Sequence, residues 1–337
     1  MTSALTTLRE LFRHNDWANE RLLAAAAPLD AAALDQRVEM GPGSLRRTLQ
    51  HIWHAEAVWL ERWQGHTNTP WPVWLKEQGP AALREHLRAT AAAREQYLDT
   101  LGAEALSEVV TYRDSRGSLF DATRGDMLIQ AWHHSQHHRA QGLNMLRAAG
   151  AELPQPGLDY IYWRIADPGD APPVCHLPTV RHLFETGDAR LREVIAAALN
   201  LPPEAHDAPF DMGHGTLRET LYHIHLAERW WVANASEAAD NAIAGIAALP
   251  LSDLPGLLDE FIPRRAAVLL ADDLDTARLV EARMRSGLRR VPMSVVLHQL
   301  PGHGVHHRAQ AVNMLRRLGG PVLEMDYMVH VRRPADL

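Results

Sequence analysis

The chain is organised around two histidine-rich stretches, WHHSQHHRAQGLNMLRAAG at residues 132–150 and GHGVHHRAQAVNMLRRLG at residues 302–319. Both contain the segment HHRAQ, then two variable residues, then NML. In both, a further histidine lies four residues before the second histidine of that segment. The resulting pairs are His134 with His138 and His303 with His307. Because residues four apart share one face of a helix, each pair predicts two imidazoles one helical turn apart.

The similarity between the two halves extends well beyond these stretches. His223 follows His51 at the same interval at which Phe184 follows Phe12. His303 follows His134, and His307 follows His138, at a slightly shorter interval than His223 follows His51. The alignment of the two halves therefore needs one small net shortening within the second half. A period of about half the chain indicates a duplicated domain rather than a solenoid. We therefore predict a first domain at 1–165, a proline-rich linker at 166–178 and a second domain at 179–337.

Each half contains four amphipathic segments of helical length, which predicts an all-α fold of two tandem four-helix bundles. Hydroxyl side chains precede several of these segments and are expected to accept a backbone N–H as N-caps. They are Ser44, Thr123 and Thr216. Before the last helix of each half, β-branched residues on either side of a polar turn predict a short β-hairpin. The two hairpins are expected at 107–122 and 276–290.

The overall composition is that of a globular protein, with 46% hydrophobic and 22% charged residues. The net charge of −7 excludes the basic surface that nucleic-acid binding needs, so no nucleic-acid partner is expected. No apolar run is long enough to span a membrane, and no signal peptide is expected at the N-terminus. The single cysteine, Cys175, allows no internal disulfide and favours a reducing compartment. These features predict a cytoplasmic protein.

A third histidine in each half completes a candidate metal site. His51 and His223 both occur in the frame LxHIxxAExxW on the second helix. A bundle brings inward-facing side chains of different helices together, and known bundle metal sites are built in this way. The predicted ligand sets are His51, His134 and His138 in the first domain and His223, His303 and His307 in the second. The alternative for each histidine taken singly is a core or surface residue without a ligand role.

Three neutral imidazoles around one divalent ion leave a position for water or substrate, which is typical of catalytic sites. Zinc is the first choice for the ion, with nickel or iron as alternatives, since imidazole suits all three. The second site is expected to be the weaker one, because Pro301 and Gly302 precede His303. A proline inside a helix usually kinks it, which would displace His303 or widen the site. If the second site were lost, the second half would be a scaffold.

This layout resembles the DinB/YfiT-like family, whose pattern is one histidine on the second helix and HxxxHR(x)Q on the last. Arg139 with Gln141, and Arg308 with Gln310, complete that pattern here. The resemblance covers nearly the whole chain, twice. It implies four-helix bundles with a divalent metal held by three histidines. It also implies activities such as thiol transfer with bacillithiol or isomerisation with mycothiol.

The glutamines of the pattern, Gln141 and Gln310, are the predicted catalytic residues. Gln141 falls about 20° from His134 around a helix of 3.6 residues per turn, and so shares its face. It is expected to orient a metal-bound water or a substrate, or alternatively to be a buried amide bonded to a neighbouring helix. Arg139 and Arg308 point away from the ligands and are expected at the surface or at an interface.

The leading functional hypothesis is a metal-dependent enzyme that transfers a low-molecular-weight thiol to a small electrophile in detoxification or stress response. The thiol part of this hypothesis rests on the family resemblance. One alternative is a hydrolase in which the metal activates water. Another is a non-catalytic, stress-associated metal-binding protein. The duplication is compatible with a monomer that contains an internal pseudo-dimer, and also with a homodimer.

Overall fold

The structure is a computed structural model that describes residues 4–74, 78–236, 245–284 and 287–335. Tertiary contacts divide these residues into two compact units. The first unit comprises residues 4–158 together with residues 324–335, and the second comprises residues 159–323. Both units are mostly helical, which confirms the predicted fold class. Among the described residues, no helix is both long and apolar enough to cross a membrane.

The first unit is a four-helix bundle in which α1 and α3 each pack against both α4 and α5. A short helix, α2, precedes α3. The helices are α1 Ala4–Ala26, α2 Ala31–Asp35, α3 Leu45–Trp63, α4 Pro80–Asp99 and α5 Arg124–Ala148. Leucines and aromatic residues at helical spacing fill the space between the four long helices. Leu8, Leu11, Phe12, Leu22 and Trp63 are among the fully buried residues.

Hydroxyl caps fix where the ligand-bearing helices begin. The Oγ of Ser44 accepts the backbone N–H of Arg47 at 3.4 Å. The Oγ1 of Thr123 accepts the backbone N–H of Asp126 at 3.1 Å. In the second unit, Thr216 caps its helix in the same way. These contacts confirm the three predicted N-caps and so fix the register of the histidines on their helices.

The second unit repeats this bundle. Helices α7 and α8 each pack against both α9 and α10. The helices of this unit are α6 Tyr160–Ala166, α7 Leu177–Leu199, α8 Leu217–Ala235, α9 Leu254–Leu269 and α10 Met293–Arg317. Helix α10 continues through Pro301, which is buried inside it. The proline therefore does not end the helix that carries His303 and His307.

Both predicted hairpins are present. Strand β1 (Val109–Arg113) pairs antiparallel with β2 (Leu119–Thr123), and β3 (Leu279–Met284) pairs antiparallel with β4 (Gly287–Pro292). Near the end of the chain, a short helix α11 (Met328–Val331) is followed by the two-residue strand β5 (Arg333–Pro334). Strand β5 pairs with β2, so the first unit has a three-stranded sheet.

Two short segments belong to a different unit from the bundle that precedes them in the chain. Helix α6 packs on α10 in the second unit, where the backbone N–H of Ile161 donates to Gln299 Oε1 at 3.0 Å. Helix α11 packs on α5 in the first unit, where the backbone N–H of Met328 donates to Gln130 Oε1 at 3.1 Å. The two glutamines occupy equivalent positions of the repeat, because they are separated by the same interval as the paired histidines of α5 and α10. The predicted boundaries follow the repeat in sequence, whereas the compact units follow these contacts.

Candidate metal centre

The structure brings the three predicted histidines of the first domain together. His51 comes from α3, and His134 and His138 come from α5. The ring centroid of His51 lies 4.7 Å from that of His134 and 4.4 Å from that of His138. The two α5 rings are also 4.4 Å apart. One ligand atom from each residue lies within 4.8 Å of the other two, which suits a single metal ion.

These three side chains are neutral near pH 7, as metal ligands must be. Burial, followed by repulsion from neighbouring histidines, lowers the pKa of His51 to about 2. Burial also lowers the pKa values of His134 and His138 well below their usual range. In addition, Nδ1 of His51 and Nδ1 of His134 are buried without a hydrogen-bond partner. A buried imidazole nitrogen without a partner destabilises the folded protein unless a ligand binds the ring. The chemistry of these three side chains therefore suits a divalent ion.

Gln141 acts on the site through His138. The Nδ1 of His138 lies 2.7 Å from Gln141 Oε1, and Gln141 Nε2 lies 3.0 Å from His137 Nε2. Because an amide oxygen only accepts, Nδ1 of His138 carries the proton and its Nε2 keeps a free lone pair. Such a contact fixes the tautomer and ring orientation of a ligand histidine. Gln141 is therefore hydrogen-bonded to a candidate ligand histidine on its own helix. Neither of the two interpretations made from the sequence described this arrangement.

A glycine in the loop before α3 makes room for that glutamine. Gly41 has a φ of +48°, in the left-handed region that favours glycine. A Cβ added to Gly41 would lie 2.1 Å from Gln141 Oε1. The loop therefore packs directly against the amide that orients His138. Gly43, two residues later, has a φ of +94°, but a Cβ there would meet nothing within 4 Å.

Two tryptophans of the loop after α3 lie next to the first site. The ring of Trp71 is 5.2 Å from the ring of His51, and the ring of Trp74 stacks on it at 6.2 Å. Trp74 is 38% exposed, so part of its ring faces solvent. The sequence analysis did not assign these residues to the site. The corresponding stretch of the second half, residues 236–250, contains no aromatic residue.

The metal-capable group of the second half contains two of the three predicted histidines and one that was not predicted. The Nε2 atoms of His223 and His303 are 3.0 Å apart, and the rings of His303 and His307 are 4.5 Å apart. The group whose ligand atoms all lie within 4.8 Å of one another consists of His214, His223 and His307. His214 was not among the predicted ligands. Its signal in the sequence is the change from GPGS before α3 to GHGT before α8.

The glutamine arrangement of the first site is repeated in the second. Gln310 Oε1 lies 2.8 Å from Nδ1 of His307, and its Nε2 lies 3.2 Å from Nε2 of His306. Burial lowers the pKa of His223 to about 3 and those of His303 and His307 well below their usual range. The helix stays continuous through Pro301, and His303 remains within hydrogen-bond distance of His223. His303 nevertheless lies outside the group formed by His214, His223 and His307, so the predicted ligand set of the second site is only partly reproduced.

The prediction that Arg139 and Arg308 lie at the surface or at an interface is wrong. Arg139 is 1% exposed and Arg308 is 5% exposed. The guanidinium of Arg139 donates to the side-chain oxygens of Asn15 and Asn19 on α1, at 3.0 Å in the case of Asn19. Both amides also donate to Glu56 Oε1, at 2.8 and 3.0 Å. The arginine points away from the ligands, as expected, but toward a buried polar network that ties α5 to α1 and α3.

Two four-helix bundles, each with histidines clustered from its second and last long helices, define a class of candidate metal-binding bundle proteins. The family model named "DinB family" matches this chain at residues 1–168 and again at residues 179–333. The chain therefore belongs to the DinB family and carries two copies of its domain. No curated protein and no solved structure shows significant similarity to the chain.

Proposed function

We propose that this protein is a metal-dependent enzyme whose first site binds a divalent ion and a low-molecular-weight thiol of the bacillithiol or mycothiol type. The reaction is transfer of that thiol to a small electrophile. The observation that carries the proposal is the cluster of His51, His134 and His138, three neutral imidazoles of which two have an unpartnered buried ring nitrogen. Three protein ligands leave a coordination position for a substrate atom. Zinc is the first choice for the ion, and nickel and iron suit the same ligands.

A divalent ion at this site supplies one chemical advantage, namely that a coordinating thiol loses its proton at neutral pH. In the transfer, the thiol sulfur forms a bond to an electrophilic carbon. The bond from that carbon to its leaving group breaks, and the leaving group departs with the bonding electrons. The proton of the thiol passes to solvent. The reaction therefore needs no protein base.

The carboxylate nearest in sequence to His51 is not available as a base. Glu56 is 3% exposed, and its oxygens accept hydrogen bonds from Asn15, Asn19, Ser135 and Arg94. A carboxylate with all its lone pairs engaged is a structural group. This arrangement favours thiol transfer over hydrolysis, since metal-dependent hydrolases commonly use a carboxylate to take a proton from water.

The chain's own residues orient the reactants. Gln141 holds the His138 ring, so the ligand geometry is preset before a thiol binds. Trp71 and Trp74 offer flat apolar faces beside His51, against which an aromatic or other planar electrophile can stack. We therefore expect electrophiles with an activated aromatic ring to be better substrates than small aliphatic ones.

The direct test is to incubate the zinc-loaded protein with bacillithiol and 1-chloro-2,4-dinitrobenzene and to follow the dinitrophenyl conjugate by absorbance and mass. His134→Ala should abolish conjugate formation and remove one metal per chain. The matched variant His303→Ala changes the equivalent residue of the second site and should leave the activity of the first site intact.

Each alternative predicts a different result. If neither bacillithiol nor mycothiol gives a conjugate, the transferase proposal is wrong. Metal-dependent turnover of esters, amides or phosphoesters would instead identify a hydrolase. No turnover of any substrate, with a cobalt spectrum that added thiol leaves unchanged, would identify a non-catalytic metal-binding protein.

A further inference from the structure

The second site has one histidine more than the first. His214 lies in the loop before α8, at the position that Pro42 occupies in the first repeat when His223 is aligned with His51. The side chain of His214 is exposed, and one of its ring nitrogens belongs to the three-histidine group of the second site. A proline side chain has no ligand atom, so the first site has no counterpart. The two repeats therefore differ by one imidazole.

The loop holds His214 at the solvent-facing side of the cluster. Gly213 and Gly215 flank it with φ values of +54° and +91°, which only glycine adopts readily. The backbone N–H of His214 donates to Thr220 Oγ1 at 3.1 Å, which ties the loop to the start of α8. As a result, the ring of His214 stacks on the ring of His223, with centroids 3.6 Å apart.

Three of the four histidines have ligand atoms close enough to share one ion, and the fourth, His303, lies beside His223. Zinc binds imidazole nitrogens at about 2.0–2.1 Å, so two nitrogens on a tetrahedral ion are about 3.4 Å apart. The Nε2 atoms of His223 and His303 are 3.0 Å apart, and the ligand atoms of His214, His223 and His307 lie within 4.8 Å of one another.

We propose that the second site binds a zinc-class divalent ion through four imidazoles, from His214, His223, His303 and His307, and so has no open coordination position. Four protein ligands are typical of structural zinc sites, whereas three with an open position are typical of catalytic ones. The two repeats would then have separate roles, with exchange of external ligands at the first site only. This inference concerns metal ligation alone and does not depend on thiol transfer at the first site.

The test uses the full-length chain with His51→Ala, so that cobalt reports on the second site. Cobalt(II) is titrated into the metal-free protein, and the visible spectrum is recorded with and without azide, a small external ligand. The same titration is then made with two double variants, in which His51→Ala is combined with either His214→Ala or His214→Gln. The glutamine variant keeps the size and polarity of the side chain but removes the imidazole. Circular dichroism checks that the variants are folded, which is expected for an exposed loop residue.

With His51→Ala alone, we expect an intense tetrahedral cobalt spectrum that azide does not change. Both His214 variants should bind cobalt at least about 10–100-fold more weakly, because removing a residue that only hydrogen-bonds a metal ligand already has an effect of this size. Their spectra should also shift when azide is added, because a position has opened. The proposal is overturned if His214→Ala leaves the affinity and spectrum unchanged, if azide already shifts the spectrum of the His51→Ala protein, or if that protein binds no cobalt.

Discussion

The two glutamines that follow the candidate ligand histidines contact the candidate metal sites through those histidines. Gln141 and Gln310 are buried, and each places its amide oxygen within 2.8 Å of Nδ1 of the adjacent ligand histidine. The amide nitrogen of each contacts the histidine before that ligand, His137 or His306. We therefore interpret both glutamines as positioning residues.

Gln141→Ala is expected to weaken metal binding at the first site about 10–100-fold, because the His138 ring loses the partner that sets its tautomer. The measurement is a competition titration with a chromophoric zinc chelator, in a background that carries both His223→Ala and His307→Ala and so leaves only the first site. His137→Ala is the control, since it removes only the partner of the amide nitrogen. We expect the control to lose affinity by a smaller factor, and equal affinity of Gln141→Ala and the parent would contradict the assigned role.

His54 is a buried histidine that the proposed chemistry does not use. It is fully buried, and neither of its ring nitrogens has a hydrogen-bond partner. Burial, followed by repulsion from His86, lowers its pKa from 6.5 to about 4. Between these two pKa values the unfolded chain binds more protons than the folded chain, so stability falls as the pH drops from about 7 to 4. The second repeat has Leu226 at the equivalent position.

His54→Leu is therefore expected to raise the free energy of unfolding at pH 7.5 by about 1–3 kcal/mol, because two unsatisfied buried nitrogens are removed. The gain should be larger at pH 5, since the leucine cannot take up a proton in the unfolded state. Urea unfolding of the metal-free protein at both pH values measures this. The exposed His66→Leu serves as control, and an identical pH dependence in His54→Leu and the parent would show that His54 is not the acid-sensitive group.

At the scale of secondary structure, the loops that precede α3 and α8 pack against residues of the candidate metal sites. Each loop contains two glycines with positive φ, and the first of each pair packs against the glutamine of the last helix. A Cβ on Gly213 would lie 3.3 Å from Gln310 Oε1 and 2.7 Å from Thr220 Oγ1. The loop and the final helix are therefore tightly fitted in both units.

Gly41→Ala is expected to weaken metal binding at the first site, because its Cβ would displace the Gln141 amide from His138. Gly43→Ala provides a matched control, since it has the same left-handed strain but meets no side chain. Both variants should lose about 1 kcal/mol or more of stability from backbone strain. Only Gly41→Ala should also lose zinc affinity in the chelator titration. If the two variants had the same affinity, loop packing would not determine the site.

At the scale of the whole molecule, the first compact unit contains a segment that is distant from its bundle in sequence. The first unit includes Tyr327 and Met328, both only 2% exposed. The hydroxyl of Tyr327 donates to Asp126 Oδ1 at 2.6 Å, and the backbone N–H of Met328 donates to Gln130 Oε1. These contacts cover the first turns of α5, the helix that carries His134 and His138 farther along.

A chain that ends at residue 323 is expected to lose roughly 3 kcal/mol or more of stability in its first unit. The loss arises because buried apolar side chains and two hydrogen bonds to α5 disappear together. A chain that ends at residue 331 keeps these contacts, loses β5 and the contacts of Arg332 with Asp114 and Phe120, and should lose less stability. Urea unfolding of both chains, followed by the cobalt spectrum of the first site in a background with His223→Ala and His307→Ala, provides the measurement. Equal stability of the two truncated chains would contradict this interpretation.

Patterns local in sequence determined the duplication, the helices and the predicted ligands. The spacing of His134 and His138 is sufficient to place both rings on one helix face, and the N-caps follow from Ser44 and Thr123 alone. The hairpins were also predicted, because β-branched residues flank a polar turn. Helices α6 and α11 were not predicted, since segments of seven and four residues show too little periodicity to be recognised.

Tertiary structure alone decided which distant residues complete each site and each unit. His214, Trp71 and Trp74 lie in loops, and no periodic pattern indicates which helix a loop side chain will contact. The burial of Arg139 depends on Asn15 and Asn19, which lie far earlier in the chain. The assignment of residues 324–335 to the first unit likewise rests on contacts with α5 and β2. Local periodicity fixes the face of a helix, whereas the partner of that face is set by packing between segments far apart in sequence.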